Sequence, residues 1–144
     1  MFKHVLIATD GSELAGKGVV AGFELAKTVG AKVTVVIAIE PWKSMIVGEA
    51  AFSFPLEEYE KAAAETAATV LNAAKQLADK AQVACETLHV TNFPAEGIVE
   101  TAEAKGCDLI VLTSHGRRGL ARAFLGSQAT RVLTLSKVPV LVYK

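Results

Sequence analysis

Five short runs of β-branched and aliphatic residues, separated by four segments with helical spacing, constrain this chain more than any other feature. They are HVLIAT (4–9), KVTVVIAI (32–39), ACETLHV (84–90), DLIVLT (108–113) and PVLVY (139–143). Three are nearly continuous in apolar residues, as in a parallel sheet covered on both faces. The order β-α-β-α-β-α-β-α-β predicts α/β architecture: one domain, residues 1–144, with an open, doubly wound sheet of five mainly parallel strands and four helices. At 144 residues the chain suits a single domain, and 51% hydrophobic residues can fill its core.

The first helix is expected over 13–29, with Ser12 as N-cap and Gly30 as the stop. The second begins near Pro55, which fits a first-turn position. From there Leu56, Tyr59, Ala63, Thr66, Val70, Ala74, Leu77 and Ala81 recur every three or four residues and predict one buried stripe. The third runs over 95–105, stopped by Gly106, and the fourth from Gly126 or Ser127 to before Lys137. The long 40–54 connection reads as a lid or binding loop, or as a mobile segment.

Charge and cysteine usage narrow the function classes. No apolar run reaches the ~18 residues of a membrane span. The short apolar N-terminal stretch ends in Asp10 without a small-residue cleavage site, so no secretory signal is expected and the chain is placed in the cytoplasm. Cys85 and Cys107 lack metal spacing and read as reduced packing residues. Net charge is zero, yet no acid follows Asp108, whereas Arg117, Arg118, Arg122, Arg131, Lys137 and Lys144 do. A neutral chain with a basic C-terminal quarter points to a local anion site rather than a nucleic-acid surface, although a solvated basic face has the same composition.

In open α/β sheets ligands bind at the carboxyl ends of the strands, where strand order reverses. The first strand ends in Ala8-Thr9-Asp10-Gly11-Ser12, and the loop after the fourth, 113–119, is the richest in Gly and Arg. Glycines let backbone N–H groups approach an anion. The start of the fourth helix offers unpaired N–H donors and a positive dipole end to a phosphate. Ser127 adds a hydroxyl, and Arg117 and Arg118 add charge. Asp10 suits a ribose hydroxyl, a base amino group or a divalent metal. Singly, each piece has a plainer role: Gly119 as a turn, Gly126-Ser127 as a helix start, Asp10 as a cap.

These residues resemble the universal stress protein (UspA-like) family over nearly the whole chain, from HVLIATDGSELA to DLIVLTSHGRRGLARAFLGSQATRVLTLSKVPVLVYK. The family's nucleotide-binding members carry Gly, two residues, Gly, nine residues, Gly, then Ser or Thr. Gly116, residues 117–125 and Gly126-Ser127 match that pattern, whereas Thr113 stands at its first glycine. The resemblance implies a Rossmann-like, adenine nucleotide alpha hydrolase-like fold. It also implies a site for ATP, ADP or AMP, with Mg2+ as an optional companion. Ala8, Thr9 and Asp10 would line the adenosine half, Ile39 would pack near the adenine, and Leu112 and Thr113 would flank the ribose. Gly116, Gly126, Ser127 and Gln128 would hold phosphates. Thr113 would crowd the nucleotide or hydrogen-bond to it, and Asn92, where related sequences often have Gly, would alter packing near the base. The family dimerises, which implies a homodimer through residues 138–143.

Other chemistries find little footing. Ser114-His115 are neighbours with no G-x-S-x-G around them, and His4 and His89 lie in strands and read as structural. Walker, dinucleotide and H-E-x-x-H patterns are absent. Two classes remain: a nucleotide-binding stress-response sensor or switch, with slow ATP hydrolysis left open, and a nucleotide-independent dimeric interaction protein of the same fold. The first is marked by Gly116 and Gly126-Ser127, the second by Thr113.

Overall fold

Strand β1 (His4–Ala8) is buried at every position and lies at the centre of a five-stranded sheet in the computed structural model, which describes residues 1–42, 48, 55–116 and 125–144. The sheet order is β3-β2-β1-β4-β5, with β2 (Lys32–Ile39), β3 (Cys85–Thr91), β4 (Leu109–Thr113) and β5 (Val140–Tyr143). All four pairings are parallel, with registers such as Ile7 opposite Val35 and Val111. Their hydrophobicity follows from position. The central strands are covered on both faces and are nearly continuous in apolar residues, whereas the edge strand β3 mixes exposed and half-buried residues.

The expected helices are present. α1 (Glu13–Val29) starts at Ser12, whose hydroxyl accepts from Ala15 N, and stops at Gly30 with a left-handed φ of 71°. α2 (Leu56–Ala81) follows Pro55, α3 (Pro94–Lys105) carries proline at its start and ends at Gly106, and α4 (Ser127–Leu135) follows Gly126. α1 and α2 cover one face, packing Val19, Phe23, Leu71 and Ala74 against Val5, Ile7, Val35 and Val111. α3 and α4 cover the other, packing Ile98, Val99 and Val132 against Leu6, Val36, Ile110 and Leu112. Burial of a side chain such as Phe23, 2% exposed, contributes roughly 1.5–3 kcal/mol.

Helix α2 departs from the predicted stripe. The buried row is Ala67, Leu71, Ala74 and Ala78, while Thr66 is exposed and Leu77 is 37% exposed. Alanine is so frequent in this helix that two adjacent rows satisfy the same spacing. Close packing on the sheet selects the row with Leu71 rather than Leu77. Tyr59, Ala63 and Thr66 instead line the cavity at the strand ends.

His4 is structural, as expected: its Nε2 shares a hydrogen bond of 2.8 Å with Thr34 Oγ1, and burial, with Lys32 nearby, holds its imidazole below the usual range. Cys107 is buried and its thiol is pushed up to about 11; burial also raises Cys85. Burial thus disfavours the reactive thiolate at both positions; Cys107 belongs to the core beneath α3 and α4, and Cys85 packs at the edge of the opposite one. The 40–54 connection, apart from 40–42 and 48, lies outside the described residues. No helix among the described residues is long and apolar enough to cross a membrane.

Candidate functional site

Strand order reverses between β1 and β4. From β1 the chain moves through α1 to β2 on one side, and β4 and β5 lie on the other. At such a switch point the connections leave the strands in opposite directions and open a crevice. Here a cavity of about 830 Å3 occupies it, within the roughly 300–1,000 Å3 usual for small-molecule sites. Of the twelve residues singled out in the sequence, Ala8, Thr9, Asp10, Ile39, Leu112, Thr113, Gly116, Gly126, Ser127 and Gln128 line this cavity. Arg117 and Arg118 lie outside the described residues, as does Gly119.

The β1 end is held by its own polar groups. Thr9 N donates to Val36 O at 3.0 Å, Thr9 Oγ1 accepts from Gly11 N at 3.2 Å, and Asp10 Oδ1 accepts from Ser12 N at 2.9 Å. Gly11 has φ 78°, a left-handed turn that glycine adopts without steric cost. Across the crevice, Gly116 passes so close to Asp10 that a Cβ there would lie 2.5 Å from Asp10 Oδ2.

The β4 end is tied to two other elements. Ser114 N donates to Tyr143 O at 2.8 Å, and Ser114 O accepts from Gly126 N at 2.8 Å. Gly126 is the N-cap of α4 and has no side chain to cap it. The first-turn N–H groups of Ser127, Gln128 and Ala129, which an α-helix leaves without intrahelical partners, therefore border the cavity with a positive dipole end. One expectation is refined here. The Gly126 N–H is committed to Ser114 O, so Gly126 contributes the close approach of the backbone rather than its own donor. Gln128 is likewise engaged: its Oε1 accepts from Ala95 N at 3.3 Å, linking the starts of α3 and α4.

Strand parity divides the cavity wall. Ala8, Val36, Ala38 and Leu112 face the α3–α4 side, with Pro94, Ile98, Ala129 and Val132, and make an apolar floor beside the α4 N-terminus. Ile39 faces the α1–α2 side, where Tyr59, Ala62, Ala63 and Thr66 extend the cavity. Tyr59 Oη donates to Glu40 O at 3.0 Å, bracing the end of β2. Val36, Ala38, Ile98 and Tyr59 also form the wall, though no motif marks them in the sequence. Period-two counting from Ile39 would have found Ala38 and Val36 on the opposite face.

Asn92 does not approach the cavity. Its Nδ2 donates to Glu100 Oε2 at 3.0 Å and its Oδ1 accepts from Phe93 N at 2.8 Å, because the turn after β3 folds it onto the side of α3. It borders instead a smaller depression of about 320 Å3 between β3 and α3. Ser114 Oγ and His115 Nδ1 lie 3.0 Å apart. Among the described residues no three His, Cys, Asp or Glu side chains converge as a metal site.

Fold and site together define a doubly wound α/β protein with an anion-receptive helix N-terminus at its switch point. The chain belongs to the universal stress protein family, whose model matches residues 1–144. It is 33% identical to the universal stress protein MJ0531 of Methanocaldococcus jannaschii, covering 100% of this chain and 83% of that one. The UspA protein from Lactobacillus plantarum shares the fold at a TM-score of 0.86 and 22% identity, over 99% of this chain and 97% of that one. A universal stress protein solved in complex with cAMP shares it at 0.76 and 24% identity, over 99% and 97%.

Proposed function

We propose that this chain binds an adenine nucleotide, ATP or its products ADP or AMP, and acts as a cytoplasmic, homodimeric sensor or switch in a stress response. The observation that carries the reading is the N-terminus of α4, opening through Gly126, Ser127 and Gln128 into a cavity of nucleotide size. Phosphates would lie on the first-turn N–H groups. The apolar floor of Ala8, Val36, Ala38 and Leu112 suits a flat base, and Asp10, which also lines the cavity, suits a ribose hydroxyl or base amino group. A related fold solved with cAMP supports the adenine class. Mg2+ would be held mainly by the phosphates, with Asp10 as the carboxylate at hand, in keeping with its preference for few protein ligands. Slow ATP hydrolysis is the enzymatic extension of this reading.

The expected result is ATP–Mg2+ binding to nucleotide-stripped protein with a Kd in the micromolar range, about −8 kcal/mol, measured by calorimetry. Heat-denatured protein should also release adenine nucleotide carried through purification. An empty protein that ignores millimolar ATP would overturn the reading and favour the nucleotide-independent interaction protein.

The dimer has its own support. Among the described residues β5 pairs with β4 alone, and its Leu141 is 40% exposed at the sheet edge. A short apolar edge strand calls for a cover. Leu141→Glu is expected to yield monomers in sedimentation velocity; a persistent dimer would place the interface elsewhere.

A further inference from the structure

Thr113 occupies the position where the nucleotide-binding pattern has its first glycine, and the structure gives its side chain two engagements. Along β4, Leu109 and Val111 join the core beneath α1 and α2, while Ile110 and Leu112 join the opposite core. Parity therefore directs Thr113 to the α1 side, away from α4. There its methyl meets Gly18: a Cβ on Gly18 would lie 2.6 Å from Thr113 Cγ2, closer than real carbon atoms come. Its hydroxyl donates to His115 O at 3.0 Å. Between these residues sits Ser114, whose carbonyl holds Gly126 N and whose N–H is held by Tyr143 O, both at 2.8 Å.

We propose that Thr113 is a positioning residue of the nucleotide site. Its hydroxyl fixes the 114–116 turn, the turn fixes the N-terminus of α4, and Gly18 is the seat that admits a side chain at 113. The proposal rests on the nucleotide reading above and deepens it. A glycine at 113 would leave the turn to its backbone alone and to more conformational freedom. Threonine constrains it, and its methyl packs against α1 at Gly18 while the residue still borders the cavity.

The experiment separates methyl from hydroxyl. Thr113→Val keeps the shape against Gly18 but loses the donor to His115 O. It is expected to raise the Kd for ATP–Mg2+ about tenfold. Thr113→Ser restores the hydroxyl and is expected to recover most of that loss. Gly18→Ala should weaken binding by driving into the methyl, and adding Thr113→Ser, which has no Cγ2, should relieve it. Valine binding like wild type, or no relief in the double variant, would overturn the proposal. A second readout needs no ligand: amide hydrogen exchange at Gly126 should quicken in Thr113→Val and stay slow in Thr113→Ser. If wild type binds no adenine nucleotide, the functional reading falls. The exchange rates then decide the role of Thr113, and equal rates in wild type and valine would overturn it.

Discussion

Gly126→Val is expected to lower affinity for ATP–Mg2+ at least about a hundredfold, a loss of ~2.7 kcal/mol, while the protein remains folded. The reason lies in the protein's own backbone before any ligand is considered. A Cβ at residue 126 would sit 2.6 Å from Ser114 O and 3.5 Å from His115 Cα. Those are main-chain atoms, so no rotamer change relieves the clash. The φ of −60° and ψ of 152° at Gly126 suit any residue; space, not conformation, demands glycine. Valine must break the 2.8 Å bond from Gly126 N to Ser114 O and displace the start of α4 from the turn. One lost backbone hydrogen bond costs folding about 1 kcal/mol, which a domain of this size survives. The phosphate-receiving geometry would not survive it. Calorimetric titration beside a thermal melt checks both halves. Unchanged affinity in a folded variant would mean that the phosphates do not lie at the α4 N-terminus.

Much of this site is legible in the sequence because its parts are local. A strand running into Asp10-Gly11-Ser12, and a helix opening at Gly126-Ser127, announce their backbone conformation through residues that few other conformations favour. Alternation of strand and helix then requires all strand ends to lie on one edge, so loops far apart in sequence must converge. The ten residues singled out in the sequence that line the cavity come together for that reason.

What stayed hidden depends on packing between elements. That Thr113 faces Gly18, that Gln128 caps the start of α3, and that Asn92 reaches Glu100 all depend on how strands and helices meet. The stripe on α2 was misplaced for a related reason: an alanine-rich helix has several faces small enough to approach a sheet. Only packing into the core over β2 and β3 distinguishes Leu71 from Leu77. Helix propensity penalises each glycine of α1 by up to ~1 kcal/mol relative to alanine. The structure divides them into those required by their surroundings and those that are not.

That division leads to an expected pair of opposite results. Gly22→Leu should destabilise the fold by about 3 kcal/mol or more, lowering the melting temperature by roughly 6–12 °C, whereas Gly16→Leu should leave it unchanged or raise it slightly. Both exchanges replace a poor helix former with a good one in the same helix, so propensity alone favours both by ~0.5–1 kcal/mol. At Gly16 no described atom lies within 4 Å of a new Cβ, so the propensity gain is unopposed. At Gly22 the Cβ would lie 2.5 Å from Ile7 Cδ1, 3.0 Å from Ile7 Cγ1 and 3.6 Å from Val111 Cγ1. Ile7 is 1% exposed and Val111 fully buried, so neither can swing aside without pushing on the sheet. Leucine adds three further carbons to that Cβ, and the helix must lift from β1 and β4. Because α1 also seats Thr113 through Gly18, lifting it should weaken nucleotide binding as well as stability. Equal melting temperatures for the two variants would show that α1 rests on the sheet through some other contact than Gly22.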